Sequence, residues 1–494
     1  MALSVISKII EDFEAAHVLQ LFAHVEQQSW SFLLDSCSNT HIQSRYDIMV
    51  SSPCITYEFA NGAHSVKGNW LSQCGDYSTL DETTAFENYA PSFDCPYKNL
   101  AKLQHDFDAL FDLDSLSAID VPFIIGAVGA FAYDTNTSSD NIIDDKPAQY
   151  KLPDISVGFY HSSIIYDNLT KTLHIFSIYQ AHIDTTVKLI KKLKAHVPAT
   201  ASFVLKKAWH SNISKEEYFQ QFAKIENYLR AGDCYQINYA QRFSSQYTGS
   251  EWAAYLELRK ENNAPFSAFC RLPTSTILSL SPERFLSVND RKVEAKPIKG
   301  TRKRDPNSEV DQALAAELLK AEKDRAENLM IVDLLRNDLS KHCQADSVKV
   351  PSLFALESYP AVHHMVSTVI GTLKPCSSVY DLLKGAFPGG SITGAPKIRA
   401  MQIIQELEPD KRAIYCGSIG YIGSRGDMDS NICIRTLLAE ETINTQTKSK
   451  EKTLYCWAGG GIVIDSVNED EYLESLYKVA KILPVLANMN QEDE

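Results

Sequence analysis

The chain has 494 residues, 44% hydrophobic and 22% charged, with a formal net charge of −14. A chain of this size and composition folds around an extensive core, as two domains or one composite unit. The acidic balance, with no Lys/Arg block denser than "KLIKKLKAH", excludes a nucleic-acid groove, which needs a basic face.

The N-terminus, "MALSVISKIIEDFEAAH", carries acids early and lacks the apolar core of a signal sequence. Residues 1 to about 205 then alternate short β-like runs with polar loops. "RYDIMVSSP", "CITYEFANG", "DISVGFYHSSIIYDN" and "TLHIFSIYQ" read as half-buried antiparallel strands. "VPFIIGAVGAFAY" (121–133) is too short for a bilayer and is broken by Pro122, Gly126 and Gly129, so it reads as buried strand. "SSDNIIDDKPAQYKLPD" (138–154) reads as an exposed acidic loop. No membrane association is expected.

A second region, 206–494, opens with a helix capped by Ser214 and Glu217 and stopped near Gly232. Strands are expected at "TILSLSPERFLSV", "KVEAKPI", "AIYCGSIGYIG", "SNICIRTLLAE" and "TLYCWAGGGIVID". Helices are expected at "SEVDQALAAELLKAEKDRAENLMIVDLLRNDLSKH", "SVYDLLKGAF", "APKIRAMQIIQELEP" and "EDEYLESLYKVAKILPVL". Runs of strands with separate helices indicate an α+β fold of antiparallel sheets packed as a sandwich, helices outside, the two regions intertwined. The 11 cysteines contain no CxxC pair, and Cys416, Cys433 and Cys456 sit in apolar runs, as buried thiols of the cytoplasm do.

Several stretches could carry chemistry, each with a plainer alternative. Glu327 lies on one acidic helix; Glu471, Glu474 and Lys478 share a face of another. Such carboxylates are either solvated helix acids or oxygen ligands for Mg²⁺. "FPGGSITGAPKIRAM" (387–401), with Pro396 expected at the first helical position, is an anion-binding loop or an ordinary turn. Gly459, Gly460 and Gly461 either admit a ligand to the backbone or form a bulge. Of the neighbours His363 and His364, only one can face a given pocket of a strand. "KPIKGTRKRD" (296–305) leaves Lys299 as a surface charge, a phosphate clamp or a nucleophile.

Taken together, "SPERFL", "KPIKGTRKR", "AENLMIVDLLRNDLSK", "YPAVHHMVSTV", "FPGGSITGAPKIRAMQIIQELEP", "YCGSIGYIG", "NICIRT", "AGGGIVIDS" and "EYLESLYKV" make the chain resemble the chorismate-utilising enzymes. Within them the subfamily of aminodeoxychorismate synthase component I is the most similar, and "CYQINYAQRF" extends the match. Residues 1–205 resemble the N-terminal region of anthranilate synthase component I. The resemblance implies amination of chorismate to 4-amino-4-deoxychorismate, on the route to p-aminobenzoate and folate. It implies Mg²⁺ on Glu327 and Glu474. It assigns the substrate's carboxylates to Arg435, Gly459, Gly460, Gly461 and Lys478. Glu283 and His364 match active-site groups, Glu283 as the general acid at the departing C4 hydroxyl.

Lys299 stands where anthranilate synthases carry alanine. Lysine attack at ring carbon 2, followed by ammonia entry at C4, would return the new substituent to C4. That route requires a neutral Lys299 amine, expected from desolvation and from the cations Mg²⁺, Arg435 and Lys478. Lys296 and Arg302–Arg304 read as structural charges. The chain has no Gly-x-Cys-x-Gly elbow, so the resemblance implies a heterodimer with a glutamine amidotransferase subunit. An anthranilate synthase component I is the alternative reading. A tryptophan pocket, if retained, would use Ser36, Gln43, Ser44, Arg45, Tyr46, Pro265, Phe266 and Ser267; otherwise those positions are structural.

Overall fold

The computed structural model describes residues 2–37, 45–68, 91–116, 119–136, 142, 146–147, 149–193, 202–358, 362–443 and 449–489. Among these residues two large sheets form, and every ladder between their strands is antiparallel. The first sheet runs in the order Ile6–Ile10, Thr172–Ser177, Ser162–Asp167, Tyr46–Val50, Ser31–Asp35, Phe266–Arg271, Ser275–Ser281, Thr436–Ile443, Lys450–Ile462, Gln236–Gly249, Phe203–Leu205. The second runs Ile298–Lys303, Val362–Thr372, Lys292–Ala295, Arg284–Asn289, Met428–Asn431, Ser418–Gly423, Gly126–Phe131, Ile155–Tyr160, Ile55–Ala60, Ala63–Gly68. Strands from both sides of residue 205 contribute to each sheet.

The strand period of two explains the layering. In the first sheet Phe32, Cys270, Ile277, Leu438 and Trp457 face a cluster shared with the second sheet, including Tyr57, Val157, Leu286 and Tyr421. Their neighbours Leu33, Phe269, Leu278, Leu437 and Cys456 face the other way, onto helices at Ala15–Phe22, Gln180–Leu193 and Glu251–Asn262. The sandwich with helices outside is therefore present. Its middle strands read as continuous apolar runs because both faces are buried. Cys416, Cys433 and Cys456 are buried free thiols.

Local signals hold where the chain makes its own contacts. Ser214 and Glu217 close a reciprocal capping box, and Gly232 ends that helix at φ 78°. Two details differ from expectation. The long acidic segment forms two helices, Ser308–Lys320 and Glu322–His342, separated by Ala321 at ψ 103°. No Gly or Pro marks this break. Arg302 reaches both sides of it, 2.9 Å from Glu317 and 3.4 Å from Asp324. Pro396 caps the helix Lys397–Leu407 rather than opening it. Thr393 O and Ala395 O accept from Asn238 N and Tyr235 N, so the glycine-rich loop docks on the strand Gln236–Gly249.

Candidate active site

The site forms where two segments pass side by side from one sheet to the other. Ser281–Arg284 leaves the first sheet for the second, and Asn431–Thr436 returns. They are pinned together: Ile432 N donates to Glu283 O at 3.0 Å, and Ser281 Oγ donates to Ile432 O at 2.6 Å. Pairing between Thr436–Ile443 and Lys450–Ile462 stops at Leu437 opposite Cys456. Beyond that point the glycine-bearing strand has a neighbour on one side only, Gly459, Gly460 and Gly461 lying opposite Ala240, Tyr239 and Asn238. They belong to a regular ladder, not a bulge.

The missing side chains at two of these glycines are needed. A Cβ on Gly460 would sit 3.2 Å from Glu471 Oε2, 3.4 Å from Glu474 Oε1 and 3.5 Å from Lys478 Nζ. A Cβ on Gly461 would sit 2.3 Å from Gln236 Nε2 and 3.1 Å from Glu327 Oε1. The helices Glu322–His342 and Asn468–Lys478 thus bring their carboxylates against consecutive residues of one bare strand.

Lys299 arrives by a β-bulge. The register of Ile298–Lys303 on Val362–Thr372 slips between Ile298 and Thr301. Gly300 takes φ 82°, a conformation that glycine adopts without cost. The bulge sends Lys299 Nζ to Glu327 Oε1 at 2.8 Å and to Ser391 O at 3.3 Å. Burial alone would lower this amine, but the Glu327 carboxylate, with Glu283 and Glu474 behind it, outweighs burial and raises it. The charged groups that act most strongly on Lys299 are carboxylates rather than the cations Arg435 and Lys478 expected to act on it.

Glu283 is 8% exposed and accepts from Ser391 Oγ at 3.1 Å. Burial raises its pKa against the opposing pull of Lys299, Ser391 and Lys478. Ser391 bridges the pair, its hydroxyl on Glu283 and its carbonyl on Lys299. Lys478 Nζ lies 2.7 Å from Glu474 and donates to Gly459 O at 2.8 Å. Burial raises Glu474, but Lys478 more than offsets it and leaves the carboxyl low. Arg435 occupies a left-handed backbone position, φ 52°, and its guanidinium meets no carboxylate among the described residues. Burial lowers its pKa, as for a cation whose counterion is still to come.

The two histidines diverge. His363 is buried between Ser358 Oγ at 2.7 Å and Asp311 Oδ1 at 3.0 Å. His364 Nδ1 lies 2.8 Å from Thr301 Oγ1, two residues past Lys299. Lys296 pairs with Glu357 and Arg304 with Asp311, as structural charges. Ser391 and Gln236, which donates to Glu327 Oε1 at 3.1 Å, were not singled out by sequence. Gln236 lay inside the quoted "CYQINYAQRF", but no spacing pairs it with residue 327.

No group of three or more His, Cys, Asp or Glu side chains is assembled as a metal cage among the described residues. Glu474 and Glu327, set against the neighbouring positions Gly460 and Gly461 and both acting on Lys299, are nevertheless donors of the kind Mg²⁺ takes, one or two carboxylates with water or substrate oxygens filling its shell.

A separate cluster surrounds the other positions. Ser36 donates through N and Oγ to Asp47 at 2.7 and 2.6 Å, and Asn168 Nδ2 donates to Ser36 Oγ. Ser267 lies opposite Asp35, and its hydroxyl donates to Ala264 O beside Pro265. Asn431 Nδ2 donates to Phe266 O. Arg45 pairs with Asp167 and stacks on Tyr46. Gln43 and Ser44 lie outside the described residues. Four strand steps separate Ser31–Asp35 from Lys450–Ile462, roughly 19 Å at the usual spacing.

The model of the chorismate binding enzymes matches residues 54–484. This chain belongs to that family. The family's matched segment contains every residue of the cleft described above. An aminodeoxychorismate synthase component 1 from Escherichia coli (strain K12) is 42% identical over 94% of this chain and 95% of its own. An anthranilate synthase component 1 from Aquifex aeolicus is 34% identical over 75% of this chain and 76% of its own. The crystal structure of anthranilate synthase component I from Streptococcus pneumoniae superposes with a TM-score of 0.72 at 29% identity, covering 90% and 93% of the two chains. The α+β architecture is thus that of the family. Among the described residues no helix is long and apolar enough to cross a membrane.

Proposed function

We propose that this chain is the chorismate-aminating component of a two-component synthase. It converts chorismate and ammonia to 4-amino-4-deoxychorismate, a precursor of p-aminobenzoate and folate, in the cytoplasm. The observation that carries the reading is the bulged strand that sets Lys299 against Glu327, with Ser391 linking it to Glu283. A surface lysine would have none of these partners.

Chorismate is a small dianion, and an acidic protein must hold it with local donors. Arg435 supplies the unpaired cation for one carboxylate. Lys478 and the exposed edge of Gly459–Gly461 support the other. Glu327 and Glu474 would be the oxygen donors for Mg²⁺, which would supply an anchor for a substrate carboxylate and a positive charge beside Lys299 that favours its neutral amine. Glu283, whose pKa burial raises, is the proton donor to the C4 hydroxyl, which leaves as water. The Lys299 nitrogen forms a bond to C2 as the two ring double bonds shift. Ammonia then forms the C4–N bond, the double bonds shift back, and the C2–N bond breaks with its electron pair returning to lysine. His364 bonds Thr301, two residues past Lys299 on the bulged strand, and is the remaining polar group assigned to the site.

A partner glutaminase would generate the ammonia, consistent with a relative named component 1. The alternative, amination at C2 as in anthranilate synthase, makes no use of Lys299. Lys299→Ala with chorismate, Mg²⁺ and ammonium decides between them. The reading predicts loss of the C4 amine, with residual product amine at C2. C4 amine at the unsubstituted rate would contradict it.

A further inference from the structure

Two buried amides beside the cleft have no assignment in the scheme above. Gln236 and Asn238 lie two residues apart on the strand Gln236–Gly249, so their side chains leave the same face. Asn238 is directly opposite Gly461. Gln236 is fully buried and Asn238 is 8% exposed. Gln236 Nε2 donates to Glu327 Oε1, the oxygen that also accepts from Lys299. That carboxylate fixes which way the amide points, with its oxygen turned away. Gln236 Oε1 and Asn238 Oδ1 both lack a hydrogen-bond partner among the described residues. The backbone carrying them is firmly held: Asn238 N donates to Thr393 O at 2.8 Å, and Arg412 donates to Asn238 O at 2.6 Å. Burying two acceptors with no donor is unfavourable, so such a pair marks a place where a donor binds.

We propose that Gln236 Oε1 and Asn238 Oδ1 form the acceptor pair that holds the ammonia co-substrate beside Lys299. This rests on the amination reading. The dianion's carboxylates call for cations and N–H groups, and its hydroxyl is served by Glu283. Ammonia brings three N–H bonds and one lone pair. Two N–H bonds directed into the amide oxygens leave the lone pair facing the ring. Uncharged acceptors also avoid holding ammonium, the unreactive form, as a carboxylate would. The lone pair forms the C4–N bond, and the C2–N bond of the protonated lysine adduct breaks with its pair going to Lys299. The new ammonium group then releases one proton to solvent.

The test uses the whole chain with chorismate, Mg²⁺ and ammonium chloride, without a glutaminase, at fixed pH. Asn238→Leu is expected to raise the ammonium KM about tenfold or more while the chorismate KM stays within about twofold. The lysine adduct formed without ammonia should be unaffected, which also reports folding. Asn238→Asp, which keeps the oxygen but adds charge, should lower the ammonium KM and lower kcat. An unchanged ammonium KM in both variants would overturn the proposal, because water then satisfies those oxygens. A chorismate KM rising in step with the ammonium KM would overturn it too, assigning the oxygens to the dianion. If the unsubstituted chain makes no amine from chorismate, the amination reading itself fails, and this ligand with it. Amine formation with indifferent variants refutes the acceptor pair alone.

Discussion

Gly300→Ala isolates the geometry that aims Lys299. Gly300 sits at φ 82° inside the bulge, where a residue with a Cβ costs about 1–2 kcal/mol. The added Cβ would lie 2.8 Å from Leu318 Cδ1 and 3.0 Å from Asp324 Cγ. Leu318 is fully buried and cannot move aside freely, so the overlap adds on the order of 1 kcal/mol. If the bulge survives, the variant loses about 2–3 kcal/mol. For a chain this long that is a fall of roughly 2–3 °C in melting temperature. If the backbone instead removes the strain by flattening, the register slips by one residue and Lys299 turns to the other face. The variant then keeps its stability and loses its lysine chemistry. Melting temperature and single-turnover chorismate consumption, measured on the same sample, separate these outcomes. A variant with unaltered stability and unaltered chorismate chemistry would refute the bulge as the aiming device.

Arg435→Gln removes a cation that meets no carboxylate among the described residues and should raise the chorismate KM on the order of 100-fold; an unchanged KM would remove Arg435 from the site. Asp108 is pushed up to about 6 by burial, and its Oδ1 accepts from Gln104. Its folded pKa lies above the ordinary 3.8, so its stability contribution is complete below about pH 4 and is lost as pH rises through about 6. Asp108→Asn, which keeps the acceptor, should therefore melt higher than the unsubstituted chain at pH 8, by at most about 3 kcal/mol before solvent screening, and equally at pH 3.5. Thermal scans across that range check the sign.

Sequence legibility followed the range of the interaction. Ser214, Glu217 and Gly232 act within one turn of each other, and their roles could be read directly. Buried thiols were legible in apolar runs such as that at Cys456, but Ile155–Tyr160 and Ser162–Asp167, expected as half-buried strands, are buried on nearly every residue, because sheet and helices cover both faces. Lys299 was ambiguous on its own residues and gained a role only through the family resemblance. The carboxylates that surround it were not foreseen, because Glu327, Glu283 and Glu474 come from three distant segments. Ser391 and Gln236 were missed for the same reason: each acts on a partner no spacing indicates, 108 residues away at Glu283 and 91 away at Glu327 respectively. Ala321 gave no signal because no Gly or Pro stands at the break, and the contacts of Arg302 with Glu317 and Asp324 on either side of it come from a separate strand.

The central claim is that Lys299 becomes the nucleophile once chorismate is seated. Mass spectrometry of the intact chain and its peptides, after incubation with chorismate and Mg²⁺ but no ammonia, tests it most directly. The account predicts a covalent adduct on the peptide carrying Lys299, discharged when ammonium is added. Chorismate turned over to the C4 amine on adding ammonium, with no adduct at any earlier time, would contradict it.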